Sequence, residues 1–184
     1  MSALRHIPNA LTVLRCLLTV PFALQLAERQ FGGALFLFVI AGFSDALDGF
    51  LAKQFQWQSR FGAIADPLAD KLLLLVGFGM LAYIDALPWW LFALVLGRDV
   101  IVVGGALSYH YLLGPYPMQP TLLSKANTLL QILLLAMVLF SLGLLPLPAW
   151  LLRAGIGLIV LSTISSGLDY VWTWGRRCLE KIRP

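Results

Sequence analysis

The chain is written in long apolar runs separated by short polar or proline-containing breaks. Six runs stand out, at about residues 8–27, 31–52, 65–84, 88–113, 122–145 and 149–174. Each is near or above the roughly 20 apolar residues that a helix needs to cross the hydrocarbon core of a bilayer. The breaks are Glu28-Arg29-Gln30, residues 85–88, residues 113–120 with three prolines, and residues 144–148 with two. Pro8 falls in a first helical turn, where its missing N–H costs nothing. Backbone groups in lipid must bond within their own segment, and the ten-residue alternation of barrel strands is absent, so the runs predict helices. The expectation is an all-α, polytopic membrane protein with six transmembrane helices, forming one domain over residues 1–184 without internal repeats.

Composition strengthens this reading. Of 184 residues, 60% are hydrophobic and 12% charged, and a soluble domain carries about twice that charged share. Residues 1–26 resemble a signal peptide, with Arg5 ahead of an apolar run, but five more such runs follow. Cys16 and Cys178 form no disulfide or zinc pattern and are expected to be small buried apolar residues. Gly77, Gly79, Gly104, Gly105, Gly155 and Gly157 read as helix-packing contacts, since no nucleotide-loop pattern contains them.

The net charge of +4 is unevenly spread. With six alternating spans, Arg5, Lys53, Arg60, Lys71, Lys125, Arg176, Arg177, Lys181 and Arg183 share one side, and Arg29 and Arg153 the other. The positive side is cytoplasmic, so both termini are expected there. The membrane would be the bacterial cytoplasmic (inner) membrane. The same cations attract anionic lipid headgroups. No basic run has the length or interleaved aromatics of a nucleic-acid surface.

The charges within the spans change the picture most, because each costs roughly 2.5–3.5 kcal/mol on an insertion scale and marks function by default. Arg15, Asp45, Asp48, Asp66, Asp70, Lys71 and Lys125 fall near the cytoplasmic ends of their spans, and Arg98 and Asp99 lie deeper. At about 1.5 Å rise per residue, most of them line a cavity roughly 5–15 Å deep, open to the cytoplasm. Asp45 and Asp48 are three apart and Asp66 and Asp70 four apart, so each pair shares a helix face. A short connection makes these helices antiparallel neighbours with four facing carboxylates. Unpaired, the carboxylates would repel. Hard oxygen ligands of this kind suit Mg²⁺ or Mn²⁺, and four can hold two divalent cations. Salt bridges to Arg15, Lys71, Arg98 and Lys125 alone would not balance these acids together with Asp99. Cations held in this way can neutralise a phosphate group and a departing oxygen, and a carboxylate beside them can take a proton from a hydroxyl.

The stretch Asp45-x2-Asp48-Gly49-x2-Ala52-Lys53-x8-Gly62-x3-Asp66-x3-Asp70 resembles the signature of the CDP-alcohol phosphotransferases, D-x2-D-G-x2-A-R-x8-G-x3-D-x3-D. Lys53 is the one departure, keeping the charge of the usual Arg but not its two-pronged geometry. The likeness extends to Pro8-Asn9-x2-Thr12-x2-Arg15, similar to the family's first-helix pattern. The resemblance implies six spans, a homodimer, a site on the cytoplasmic side, a CDP-linked lipid donor such as CDP-diacylglycerol, an alcohol acceptor and release of CMP. It implies Asp45, Asp48 and Asp66 as metal ligands, and Asp70 as the general base, also bordering the second metal. Asp48, Gly49, Ala52, Lys53 and Gly62 would lie against the CDP moiety, the glycines allowing close approach. Asn9 and Thr12 would be headgroup contacts.

The acceptor is read from the later spans. In family members that accept glycerol 3-phosphate (phosphatidylglycerophosphate synthases), the fourth span usually reads G-R-E with a second Arg eight residues on, and the fifth begins G-K-x-K-T. Here Gly97-Arg98-Asp99 is followed by Ala106, and the fifth span begins Ser124-Lys125-Ala126-Asn127-Thr128. Two cations are missing, which fits a less anionic headgroup and resembles the cardiolipin synthases that use CDP-diacylglycerol. Phosphatidylglycerol is therefore the expected acceptor and glycerol 3-phosphate the alternative, with Arg15, Arg98, Lys125 and Asn127 as contacts to the lipid phosphate. A phospholipase-D-like route is excluded by the lack of an H-x-K-x4-D motif. A divalent-metal transporter is the remote alternative, since buried acids also line ion paths, but the acids here crowd toward one side.

Overall fold

The computed structural model describes the backbone of residues 7–54, 60–113 and 121–182, and the side chains within them except at 7–12, 46, 48–54, 60–68, 70, 106–113 and 174–182. The described residues form six helices and no strand: α1 (Ile7–Ala27), α2 (Phe31–Gln54), α3 (Arg60–Tyr83), α4 (Trp89–Leu113), α5 (Leu122–Gly143) and α6 (Ala149–Ile182). Each apolar run has become one helix. The differences lie at two ends, where α3 starts five residues before its run and α6 continues eight residues beyond. Hydropathy marks where lipid-compatible sequence begins, whereas a helix carries on through Arg, Leu, Glu and Lys, all good helix formers.

Among the described residues, two helical segments are long and apolar enough to cross a membrane, Leu122–Gly143 and Ala149–Thr173. Val13–Ala27, Phe31–Asp45 and Lys71–Tyr83 are shorter apolar stretches among the described residues. On α1 polar side chains share the buried stripe with Phe22 and Leu26 while the outward face is apolar. Arg15 and Thr19 are buried, while Val13, Leu14, Leu17, Val20 and Leu24 are exposed. An outward apolar face, with the polar side chains turned inward, suits lipid surroundings. Cys16 corrects the sequence expectation, since it is exposed on that outward face rather than buried. Its weakly polar thiol is as compatible with lipid as with a core.

The chain forms two compact units, residues 1–87 with 135–147, and residues 88–134 with 148–184. In the first, α1 packs against α2 and α3. The α1 stripe Arg15, Thr19, Phe22 and Leu26 and the α2 stripe Ala34, Phe38 and Ala41 are buried at helical spacing. Phe22 and Phe38 stack across this seam with ring centroids 6.0 Å apart. The hairpin closes through a left-handed residue, Arg29, at φ 58°. There the Gln30 N–H reaches the Gln25 carbonyl at 2.8 Å and the Arg29 N–H the Leu26 carbonyl at 3.0 Å, the Schellman pattern that satisfies the last carbonyls of a helix. The end of α3 repeats it, with Asp85 at φ 63° and the Ala86 N–H on the Leu81 carbonyl at 2.8 Å.

The packing role expected of glycines is met at Gly77, where an added Cβ would lie 2.6 Å from Leu135. The tightest approach is at Gly143, where a Cβ would stand 2.7 Å from the Gly32 backbone nitrogen and 2.8 Å from the Phe31 carbonyl carbon. Gly104 and Gly157 meet nothing within 4 Å.

In the second unit α4 packs alongside α6. Leu91, Val95, Leu134 and Ile159 supply an apolar core that polar side chains interrupt: Arg98, Asn127, Gln131, Thr163 and Ser166. At Gly155 an added Cβ would lie 2.9 Å from Leu134, so small-residue packing brings α5 and α6 together here.

Gly143→Ala should lower stability by about 1–3 kcal/mol, the usual range for overpacking against something that cannot move aside. Gly157→Ala should be close to neutral. Thermal unfolding of the two variants in the same detergent checks the contrast.

Candidate active site

In the first unit the α1–α2 seam leads directly to a charged pair. Two turns back along α1 from Phe22 and two turns forward along α2 from Phe38 stand Arg15 and Asp45. Arg15 Nη1 donates to Asp45 Oδ1 at 2.8 Å. Arg15 is fully buried, whereas the Asp45 side chain is 41% exposed. The Thr19 hydroxyl donates to the Arg15 carbonyl at 3.0 Å. The guanidinium engages one carboxylate oxygen from within the bundle, and the carboxylate still reaches the surface of the unit. A partly exposed carboxylate anchored on one side suits a hard cation.

The remaining sequence-expected residues of this unit lie on the described backbone but outside the described side chains. Asn9 and Thr12 fall on α1; Asp48, Gly49, Ala52 and Lys53 fall on α2; Gly62, Asp66 and Asp70 fall on α3. Helical backbone through residues 45–48 and 66–70 keeps each aspartate pair within about one turn. Among the described residues no group of three or more possible metal ligands converges. Lys71 is half-buried on α3.

In the second unit Arg98 is the organising group. It is 5% exposed. Its Nη1 donates to Asp99 Oδ1 at 2.7 Å. Its Nη2 donates to Ser124 Oγ at 2.6 Å on α5 and to Ser166 Oγ at 2.7 Å on α6. Ser124 is fixed in turn by the helix start, where its N–H reaches the Thr121 hydroxyl at 3.2 Å, an N-cap bond. Three residues further along α5, Asn127 is fully buried. Its Oδ1 accepts from Ser162 Oγ at 2.8 Å and from Thr163 Oγ1 at 2.9 Å. Lys125 is exposed on the same helical turn.

Residues 5–164 match the sequence profile of the family described as CDP-alcohol phosphatidyltransferase. The chain belongs to that family. Among relatives of the chain, the "Probable cardiolipin synthase (CMP-forming)" of Drosophila melanogaster is 36% identical over 160 residues, covering 78% of this chain and 48% of the relative. The "Cardiolipin synthase (CMP-forming)" of Streptomyces coelicolor is 38% identical over 131 residues, covering 66% of this chain and 59% of the relative. The "CDP-diacylglycerol--glycerol-3-phosphate 3-phosphatidyltransferase" of Cereibacter sphaeroides is 33% identical over 147 residues, covering 75% and 65%. The chain spans about half the length of the first of these. The family resemblance drawn from the aspartate signature is thus borne out, and the family depends on divalent cations in general.

Within this chain the structure joins Arg15 to Asp45, and Arg98 to Asp99. It also shows residues that sequence reasoning passed over: Ser162, Thr163, Ser166 and Gln131. Their signal was available. Ser162, Thr163 and Ser166 recur at helical spacing in a hydroxyl-rich stretch of an apolar span, and Gln131 stands alone among leucines and isoleucine.

Because Ser124 and Ser166 both serve Arg98 Nη2, their effects should not add. Each Ser→Ala change should cost about 1–2 kcal/mol, as expected for a hydrogen bond to a buried charged group. The double variant should differ from the sum of the single ones by at least about 0.5 kcal/mol. Unfolding midpoints of the four proteins in a double-mutant cycle measure this.

Proposed function

We propose that this family member is a CMP-forming cardiolipin synthase, an integral membrane enzyme that moves the phosphatidyl group of CDP-diacylglycerol onto a hydroxyl of phosphatidylglycerol. The observation that carries the acceptor choice is the charge balance around Arg98. Its guanidinium is already paired with Asp99 at 2.7 Å, and its other described partners are neutral hydroxyls. Beside it stands a neutral amide, Asn127. Such surroundings favour a phosphodiester with one negative charge over the dianion of glycerol 3-phosphate, which draws on additional cations. Lys125 is placed in the same reading as a contact to the lipid phosphate. The names carried by the relatives support this choice, and the glycerol-3-phosphate enzymes among them keep the alternative in view.

The reaction uses the acid-rich segment of α2 and α3. Asp45, Asp48 and Asp66 would hold two divalent cations, Mg²⁺ or Mn²⁺, with Asp70 at their edge. When bound, the cations neutralise the pyrophosphate and stabilise the departing CMP. Asp70 takes the proton from the acceptor hydroxyl as its oxygen attacks the phosphatidyl phosphorus. The new P–O bond forms as the pyrophosphate P–O bond breaks, releasing CMP. Gly49, Ala52, Lys53 and Gly62 would line the CDP moiety. Arg15, engaged with Asp45, would keep that ligand in place. The six helices would all span the bilayer, with the termini and site on the cytoplasmic side and two copies forming a homodimer.

Purified protein supplied with CDP-diacylglycerol and Mn²⁺ or Mg²⁺ should release CMP with phosphatidylglycerol and form cardiolipin. Product with glycerol 3-phosphate alone would overturn the acceptor assignment. Asp70→Asn should reduce product by at least about 100-fold, the scale of a lost general base, while retaining most Mn²⁺ binding by electron paramagnetic resonance. Metal flux into liposomes without CMP release would instead favour a transporter.

A further inference from the structure

The second unit holds buried donors that the acceptor reading leaves unused. Asn127 Oδ1 accepts two hydroxyl bonds from α6, so both of its acceptor positions are filled. The donor side of the amide therefore faces away from those hydroxyls, and Nδ2 has no partner among the described residues. One turn along α5, Gln131 is 3% exposed, and its Nε2 has no partner among the described residues either. Arg98 Nε is a third such donor. Polar side chains that merely join helices in apolar surroundings spend their donors on the neighbouring helix. Buried donors left without partners call for an explanation. Here all three lack the same thing, an oxygen that accepts.

Their positions say which oxygens. Ser124, Asn127 and Gln131 follow one another at spacings of three and four, along one face of α5. The Arg98 guanidinium sits at the level of Ser124, near the start of the helix. Gln131 stands at the midpoint of the 22-residue helix, about 10 Å further along at 1.5 Å per residue. The site is thus charged at the helix end and neutral toward the centre of a membrane-length segment. A phospholipid has the same polarity order, with its phosphodiester at the surface and uncharged ester carbonyls below it.

We propose that Asn127 Nδ2 and Gln131 Nε2 form a neutral donor subsite for the ester carbonyl oxygens of a diacylated acceptor lipid. Ser162 and Thr163 are positioning residues that hold the Asn127 amide in its donating orientation. The proposal rests on the lipid-acceptor reading above and deepens it, because a soluble acceptor has no oxygens at that depth. It gives the enzyme a means of recognising its acceptor below the headgroup.

The test compares phosphatidylglycerol carrying ester-linked chains with phosphatidylglycerol carrying ether-linked chains, which lack the carbonyl oxygens. The full chain is assayed in mixed micelles at saturating CDP-diacylglycerol and Mn²⁺. The wild type should show a KM for the ether lipid about tenfold above that for the ester lipid, the scale of one or two net hydrogen bonds. Gln131→Leu should raise the ester KM about tenfold, add little further loss with the ether lipid, and leave the KM for CDP-diacylglycerol unchanged. Gln131→Met, unbranched and closer in shape, should behave alike. Ser162→Ala combined with Thr163→Val should weaken the ester preference in the same direction. Thermal stability of the Gln131 variants should be unchanged or higher, since an unpartnered buried donor is removed, whereas a packing role would lower stability and leave the ester-to-ether ratio intact. Cardiolipin formation with a persistent ester preference in both Gln131 variants, or with no preference in the wild type, overturns the subsite and leaves the acceptor reading standing. Turnover with glycerol 3-phosphate alone overturns both.

Discussion

A guanidinium group cannot rest in an apolar bundle unless its charge is answered nearby, and the structure is arranged around two such groups. Arg15 and Arg98 are both almost wholly withdrawn from the surface. Each therefore dictates what the neighbouring helix must present. For Arg15 that is a carboxylate on α2. For Arg98 it is its own neighbour Asp99 and a serine from each of α5 and α6. Truncating one partner of such a set leaves a buried charge uncompensated, which is far more costly than the net value of the contact itself. The polar interior is in this sense less negotiable than the apolar exterior, where one leucine does much the same as another.

The two guanidinium groups are answered differently, and the difference bears on chemistry. Arg15 anchors a carboxylate that still reaches the surface of its unit, so the acid remains available to a further cation. Arg98 is surrounded by neutral hydroxyls and a carboxylate, so little of its charge is left for a ligand. The first arrangement suits a metal-dependent centre. The second suits recognition of a weakly charged headgroup by direction and hydrogen bonding rather than by field strength.

Much of this was legible in the order of residues alone. Six apolar runs became six helices because helix is the only local structure that satisfies the backbone of such a run. The start of α3 at Arg60 was not legible, because hydropathy locates lipid-compatible sequence rather than helical hydrogen bonding. The aspartates announced themselves by spacing, although the side chains of Asp48, Asp66 and Asp70 lie outside those described. The partnership of Arg15 with Asp45 was not readable, since it depends on the register between two helices, which neither helix carries by itself. Ser162, Thr163, Ser166 and Gln131 escaped notice for another reason. Uncharged polar residues are common in membrane helices as packing contacts, so only the bonds they make, or leave unmade, distinguish them. Cys16 shows the same limit from the other side, because an apolar residue in lipid has no need of a core.

The α1–α2 hairpin has a closed end at Arg29 and an open end at the Arg15–Asp45 pair, about 21 Å apart at the rise of a helix. Between them the contacts are mostly apolar and non-directional. The ion pair is directional, because a shift of one residue would carry Asp45 about 100° around its helix and away from the guanidinium. The pair therefore acts as an alignment mark for the whole hairpin. An insertion or deletion in the three-residue turn, however well the turn itself accommodated it, would be felt at the far end of the seam, where the aspartate signature begins.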